Sequence, residues 1–251
     1  MPNGDTAHMT SMQFFSLAER PDLVERFWEV GSDWPAFMLE DPVSANRYKP
    51  AVELFPDLHL LALENDHAIA RVHAVPIRWP GADELPDRGW DWALESAVDH
   101  PTNDRSAVSL IEARVAPHRR GRGLSGQLLA AARDAFRGLG TTDLVGPVRP
   151  NGKAVEPRTP PQEYATRRRP DGLPADSWLR VHVRLGGRIV KLAPLSMTIS
   201  GTLTRWREWT GLPLDLDGLV EVPGALAPIL VDTTQDHAVY VEANVWVHHA
   251  L

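Results

Sequence analysis

No cysteine occurs in the 251 residues. Disulfides, thiolate catalysis and cysteine-based metal centres are therefore excluded, and a reducing intracellular compartment suits the chain. Long apolar runs are missing too. No stretch approaches a membrane span and no signal-peptide core stands at the N-terminus, so a cytoplasmic protein with no membrane partner is expected. Positive charge is not in excess: 26 Lys and Arg face 33 Asp and Glu, for a net charge of −7. The basic islands at 118–122 and 167–169 are local features of an acidic chain, which argues against general nucleic-acid binding. Neither H-x-x-x-H nor H-E-x-x-H occurs, and His248 and His249, adjacent on an expected strand, would point apart; no metal site is expected. Ser125 has no G-x-S-x-G elbow around it, which removes a hydrolase triad.

What is present organises around Ser109–Phe136, SLIEARVAPHRRGRGLSGQLLAAARDAF. Val108–Val115 is a β-branched and aliphatic run with Glu112 and Arg114 interleaved, the pattern of a largely buried strand. Pro117 ends it, because proline has no N–H for a sheet ladder. A basic loop with Gly121 and Gly123 follows. From Leu124 the apolar residues Leu124, Leu128, Leu129, Ala132 and Phe136 fall on one face of a helix that Gly138 and Gly140 stop. The two loop glycines let backbone N–H groups approach a ligand closely, and the helix N-terminus leaves its first amides unpaired. With Arg119, Arg120 and Arg122 around it, this point suits a phosphate or diphosphate.

The run V-x-P-x-x-R-G-x-G-L at Val115–Leu124 resembles the acyl-CoA signature of the GNAT superfamily of N-acyltransferases. Arg120, Gly123 and Ser125 fall on its Q/R-x-x-G-x-G/A pattern; Ser125 departs from the expected Gly or Ala, and Gly126 follows it directly. The resemblance implies a mixed α/β (α+β) fold, a mostly antiparallel twisted sheet with splayed central strands, flanked by helices. It also implies a loop that wraps the coenzyme A diphosphate with the amides of Arg120, Gly121, Arg122, Gly123, Leu124, Ser125 and Gly126. A backbone N–H near Val115 or Ala116 would polarise the thioester carbonyl. The same letters, Gly121-x-Gly123-x-x-Gly126, also spell a dinucleotide fingerprint. Against it stand the residues between strand and first glycine, the mid-chain position and the missing acidic residue about 20 positions on. A basic surface loop before an ordinary core helix is the third reading.

Residues 1–12 are polar and expected to be disordered. A helix is expected over 17–29, a short one over 34–39, strands over 58–63 and 68–77 joined by a hairpin loop at 64–67, and a helix over 90–98. After the central unit come a strand over 143–148, an irregular segment over 147–174 with a short helix near 160–168, a helix over 177–185 and a strand over 188–192. The two matched segments cover about a quarter of the chain, and the resemblance implies an acyltransferase core over residues 13–192. Residues 193–251 are expected to extend the sheet and complete an acceptor site, with strand, helix and a final hairpin across 233–236. In its second strand Val239, Val241, Ala243, Val245 and Val247 share one face. Tyr240, Glu242, Asn244, Trp246 and His248 share the other, which would line an acceptor pocket or face solvent. The nine tryptophans point to an aromatic-rich cleft or core.

Two side chains are catalytic candidates. SWLRVHVRLGG at Ser177–Gly187 resembles the family's A-x-x-x-Y-x-x-x-G-F element, and His182 falls where the family's tyrosine acid stands. It could serve as acid, as base or as a packing residue. Glu112, on the strand feeding the glycine loop, is either the base that takes the amine's proton or the partner of an arginine. The implied activity is transfer of an acetyl or other acyl group from coenzyme A, as co-substrate, to the amine of a small molecule or peptide. A homodimer is compatible with it. The alternatives are a catalytically idle acyl-CoA-binding module and a transferase using aminoacyl-tRNA, gripped by Arg167–Arg169.

Overall fold

The structure is a computed structural model and describes residues 12–251. The expected disordered tail thus lies outside the described residues up to position 11, and Met12 is half-buried against the core. One nine-stranded sheet runs through the molecule in the order β1-β2-β3-β4-β5-β9-β8-β7, with β6 paired to β9 as well. Its strands are β1 (Gln13–Ser16), β2 (His59–Glu64), β3 (His67–Pro76), β4 (Ala107–Val115), β5 (Asp143–Val148), β6 (Arg188–Gly201), β7 (Gly218–Val220), β8 (Ile229–Asp232) and β9 (His237–Ala250). Every pairing is antiparallel except β4 with β5. Positions 192 and 193 fall inside β6, so residues 193–251 supply part of that strand and β7–β9 to the same sheet.

The central helix is α4 (Leu124–Gly138), and it buries Leu128, Leu129, Ala132 and Phe136 as the spacing predicts. Burying a leucine or phenylalanine side chain is worth roughly 1.5–3 kcal/mol, so this stripe alone fixes α4 against the sheet. Asp41 caps α2 (Pro42–Leu54) by accepting from the Ser44 N–H at 2.6 Å, and α3 (Gly89–Asp99) packs beside α2. Asn65 and Asp66, both at positive φ, make the tight turn between β2 and β3. Short α5 (Pro161–Thr166), α6 (Ser177–Arg184) and α7 (Leu203–Thr210) complete the helices used below.

Three expectations need correcting. Residues 13–16 form β1, while the helix expected over 17–29 shrinks to a 3-10 turn at Pro21–Leu23 followed by α1 (Val24–Glu29). Arg20 is held out of the helical region (φ −133°, ψ 70°), because the ring of Pro21 disfavours helical backbone before it. The strand expected over 188–192 and the strand expected to open residues 193–251 are one long strand, β6, which stays paired to β9 through two register shifts. Of the two readings of the polar face of β9, solvent exposure fails: Tyr240, Glu242, Asn244 and Trp246 are buried, while on the other face Val239, Val241 and Ala243 are half-exposed and Val245 and Val247 are buried. Polar groups occupy the inner face because they satisfy one another there.

Candidate active site

β4 and β5 pair over three positions only, Ala107 with Asp143, Val108 with Leu144 and Ser109 with Val145, and then part. β4 bulges at Ile111: His73 opposes Glu112 and Ala74 opposes Leu110, with Ile111 left over. The freed Ile111 carbonyl accepts from the Trp90 indole N–H at 2.9 Å. Farther along, the Ala116 N–H bonds to the Ile69 carbonyl at 2.9 Å, which removes Ala116 as a polarising donor. Antiparallel alternation then turns the N–H groups of Ala113 and Val115 toward the side that β5 has left. A cleft of about 1430 Å³ opens there, reaching from the glycine loop, past α6, to β9.

Val115, Arg120, Gly121, Gly123, Ser125 and Gly126 line one end of this cleft; Arg122 and Leu124 lie beside it. Gly121 and Gly123 stand at φ +78° and +76°, where a Cβ is strained, and Gly123 is the left-handed residue from which α4 starts. Among the described residues no acceptor meets the N–H of Gly121, Arg122, Gly123, Leu124 or Ser125. Five consecutive unpaired amides at the start of a 15-residue helix form an anion cradle. Arg120 does not point into it: its guanidinium is paired with Asp33 at 2.5 and 2.8 Å. Arg119 pairs with Glu64, so Arg122 is the loop arginine without an ion-pair partner among the described residues.

Glu112 borders the cleft but is almost wholly buried. Its carboxylate accepts from Arg71 Nε at 2.7 Å and the Tyr48 hydroxyl at 2.8 Å, and pairs with Arg114. Burial alone would push its pKa up, yet Arg71 and Arg114 outweigh that and hold it below the usual glutamate range. Of the two roles left open by the sequence, the arginine partnership is what the structure contains.

His182 is on α6, also buried at the cleft wall, with Nδ1 3.0 Å from Nε2 of His249 on β9. Gly187 makes this approach possible, since a Cβ there would lie 2.7 Å from the His249 ring. The outer nitrogens, His182 Nε2 and His249 Nδ1, have no partner among the described residues. Burial and the neighbouring His249 push the His182 pKa far below the ordinary histidine range, so the ring is neutral at working pH. The sequence named His182 and missed His249, whose signal was only its alternation on β9. His248 turns the other way, to Asp143 at 2.8 Å.

At the far end stands Glu242, which accepts from Arg149 Nε at 3.0 and 3.1 Å, from the Tyr240 hydroxyl at 2.6 Å and from the Asn244 amide at 3.0 Å. Asn244 Oδ1 in turn accepts from Ser196 Oγ at 2.6 Å, and Ser196 accepts from the Trp90 N–H at 2.9 Å. Of the five residues on the expected acceptor face, only Glu242 and Asn244 line the cleft. Tyr240 supports Glu242, Trp246 is core and donates to the Pro86 carbonyl, and His248 is occupied by Asp143. Trp28, Trp34, Tyr48 and Trp90 wall the same end, residues that the tryptophan count hinted at without placing.

Six arginines and three carboxylates line the cleft of a chain whose net charge is −7. Each of those carboxylates, Asp33, Glu112 and Glu242, is already paired with arginine. The cleft is therefore a positive channel in an acidic protein, which draws in a polyanion. Arg167–Arg169 do not contribute to it. Arg167 pairs with Glu156 and Glu163, Arg168 donates to the Ala165 carbonyl, and Arg169 pairs with Asp171. Among the described residues no helix is long and apolar enough to cross a membrane, and no cluster of three or more metal-ligating side chains occurs.

The chain is 32% identical over 274 residues to the arginine N-acetyltransferase avaD of Aspergillus versicolor, covering 94% of this chain and 93% of that protein. Among solved structures, the loading GNATL domain of CurA from Lyngbya majuscula shares the fold with a TM-score of 0.56, at 16% identity over 96% of each chain. A GNAT-like decarboxylase, GphF in complex with isobutyryl-CoA, also gives 0.56, at 18% identity over 96% of this chain and 98% of that one. No family model matches the chain.

Proposed function

The chain belongs to the GNAT superfamily of N-acyltransferases, and from that premise we propose that it moves an acyl group from coenzyme A to a small amine of the arginine kind. The observation that carries this is the run of five unpaired amides at the start of α4, beside strands that part. Those amides would take the diphosphate, with Arg122 free to add charge, and the pantetheine arm would lie between β4 and β5. Residues 193–251 supply much of the acceptor wall through Glu242 and Asn244. A cytoplasmic setting goes with an acyl-CoA donor.

The N–H of Val115 or Ala113 would polarise the thioester carbonyl, since both face the gap. The incoming amine must be neutral. Arg71, Arg114 and Arg149 surround its end of the cleft, and cationic neighbours disfavour an ammonium and lower its pKa. Its nitrogen then bonds to the carbonyl carbon, the C–S bond breaks, and the proton it gives up ends on the sulfur. Glu112, committed to two guanidiniums and Tyr48, is assigned here to holding Arg114 and Tyr48 in place, not to taking that proton.

His182, neutral in its buried site, is assigned a hydrogen bond from Nε2 to the departing sulfur, which requires the wall over this buried, unpartnered nitrogen to open when acyl-CoA enters. His249 would donate from Nε2 to His182 Nδ1 and so leave the second proton of the pair on the outer nitrogen. The test is mass-spectrometric assay of acetyl-CoA with L-arginine, which should yield acetylated arginine and free coenzyme A in equal amounts. His182→Ala should lower kcat by about 100-fold, the usual loss of one preorganised donor, with donor affinity unchanged. The wild-type kcat should not fall as pH rises through 6–7, as it would for an imidazolium acid of ordinary pKa ~6.5. Tight acyl-CoA binding with no turnover of L-arginine or any other amine would make the protein an idle acyl-CoA-binding module instead.

A further inference from the structure

The acceptor end offers a ligand an unusual balance of charge. Its two carboxylates, Glu112 and Glu242, have their oxygens committed to arginine, tyrosine and asparagine donors. Its arginines are not used up in the same way. Arg149 gives Nε to Glu242 and Nη2 to the Gly224 carbonyl at 2.6 Å, while Nη1 makes no hydrogen bond among the described residues. That nitrogen is not a buried orphan, and Arg149 lines the cleft. The guanidinium is held still: Trp34 lies against it at 5.1 Å, and Glu242, wholly buried, fixes it from behind. Asn151, exposed in the same wall, adds an uncommitted amide.

A cationic group of the acceptor would find no free carboxylate at this end of the cleft. An anionic group would find a rigid, half-committed guanidinium with donors to spare, the geometry that takes a carboxylate. We propose that the acceptor is an α-amino acid with a free carboxylate, and that Arg149 binds that carboxylate through Nη1. This rests on the reading of the cleft as an acyl-transfer site and adds the group by which the acceptor is chosen. With its carboxylate anchored on the Arg149 side, the acceptor projects its amine across the gap toward the β4 amides of Ala113 and Val115.

The test measures binding apart from turnover. Calorimetry with L-arginine, L-argininamide and agmatine, in the presence of coenzyme A, compares ligands that differ in the carboxylate. L-Arginine should bind about 10- to 100-fold more tightly than either of the others, the value of a hydrogen bond to a charged group. Arg149→Lys should cut that advantage about tenfold. Because removal of Arg149 alone would strand buried Glu242, the double variant Arg149→Gln/Glu242→Gln replaces both partners together and should abolish the advantage in a folded protein. Equal affinity of the wild type for L-arginine and L-argininamide, no measurable binding of any of the ligands, or an advantage that survives in the double variant overturns the proposal. A protein that prefers L-arginine in this way yet acylates no amine refutes the transfer reading and leaves the carboxylate site standing.

Discussion

Where α4 begins, five backbone amides and the Arg122 side chain have no partner among the described residues, whereas at the other end of the cleft Glu242 alone takes bonds from Arg149, Tyr240 and Asn244. The proposed donor end keeps its polar capacity unspent, and it can do so because the loop is exposed to solvent. The acceptor end is buried in the sheet, where an unpaired charge costs several kcal/mol, so nearly every polar group there is spent on another. One end is thus built for affinity and the other for shape. Binding and folding should respond in opposite ways when each is damaged.

The largest effect is expected at the acceptor end. Glu242→Ala removes the shared acceptor of a guanidinium, a hydroxyl and an amide, which should cost about 3–5 kcal/mol and lower Tm by roughly 6–20 °C. Donor affinity in the folded fraction should be unchanged. Thermal unfolding decides it: a shift below about 2 °C would mean that the network is not what holds this wall together.

Gly123→Val should show the reverse. The space around its missing Cβ is open, so nothing in the fold is struck, and only the positive φ is strained, at about 1–2 kcal/mol. The side chain would stand where the diphosphate approaches. Acyl-CoA affinity should fall by about 100-fold or more, equivalent to about 2.7 kcal/mol, the loss of one or two charge-assisted hydrogen bonds. A folded variant that binds coenzyme A as tightly as the wild type would end the assignment of this loop. NADH binding to the wild type, with no binding of coenzyme A, would favour the dinucleotide fingerprint instead.

The smallest effect per step comes from buried groups at both ends, and its sign can be worked out. His182 and His249 beside the donor channel, and His59 and His73 under the acceptor wall, all have pKa values depressed chiefly by burial, His59 to about 4. The unfolded chain takes up protons from pH ~6.5 and the folded one does not, so these four groups stabilise the fold above that pH and lose that contribution on acidification. Asp41 and Asp91 act oppositely. Burial raises them to about 6 and about 8, so their contribution is present in acid and is lost as pH rises through those values. Net, four histidines outweigh two carboxyls on the acid side and Asp91 acts alone above Asp41's range, so stability should fall on both sides of mildly acidic pH, more steeply toward acid than toward base. Urea unfolding on both sides checks it. His182→Gln/His249→Gln should remove about half of the histidine share on the acid side; an unchanged slope would show that the pair titrates in the folded protein.

The sequence by itself determines the strand, loop and helix proposed to bind the donor, because everything there is local. The aliphatic run from Val108, the proline that ends it, the two glycines and the 3.6-residue stripe from Leu124 to Phe136 lie within 30 residues, and backbone amides need no distant partner to form an anion site. The family signature is visible for the same reason. The β2–β3 hairpin and the helix bearing His182 are legible on equally local grounds. Only the tertiary structure decided the acceptor end. Arg149 meets Glu242, and Tyr48 meets Glu112, across 93 and 64 residues of chain. His182 finds His249 across 67. Alternation along β9 reveals that Tyr240, Glu242 and Asn244 share a face, but not which face is inside. That depends on whether partners exist to satisfy the polar groups there, and those partners come from loops and strands that only the folded sheet brings together.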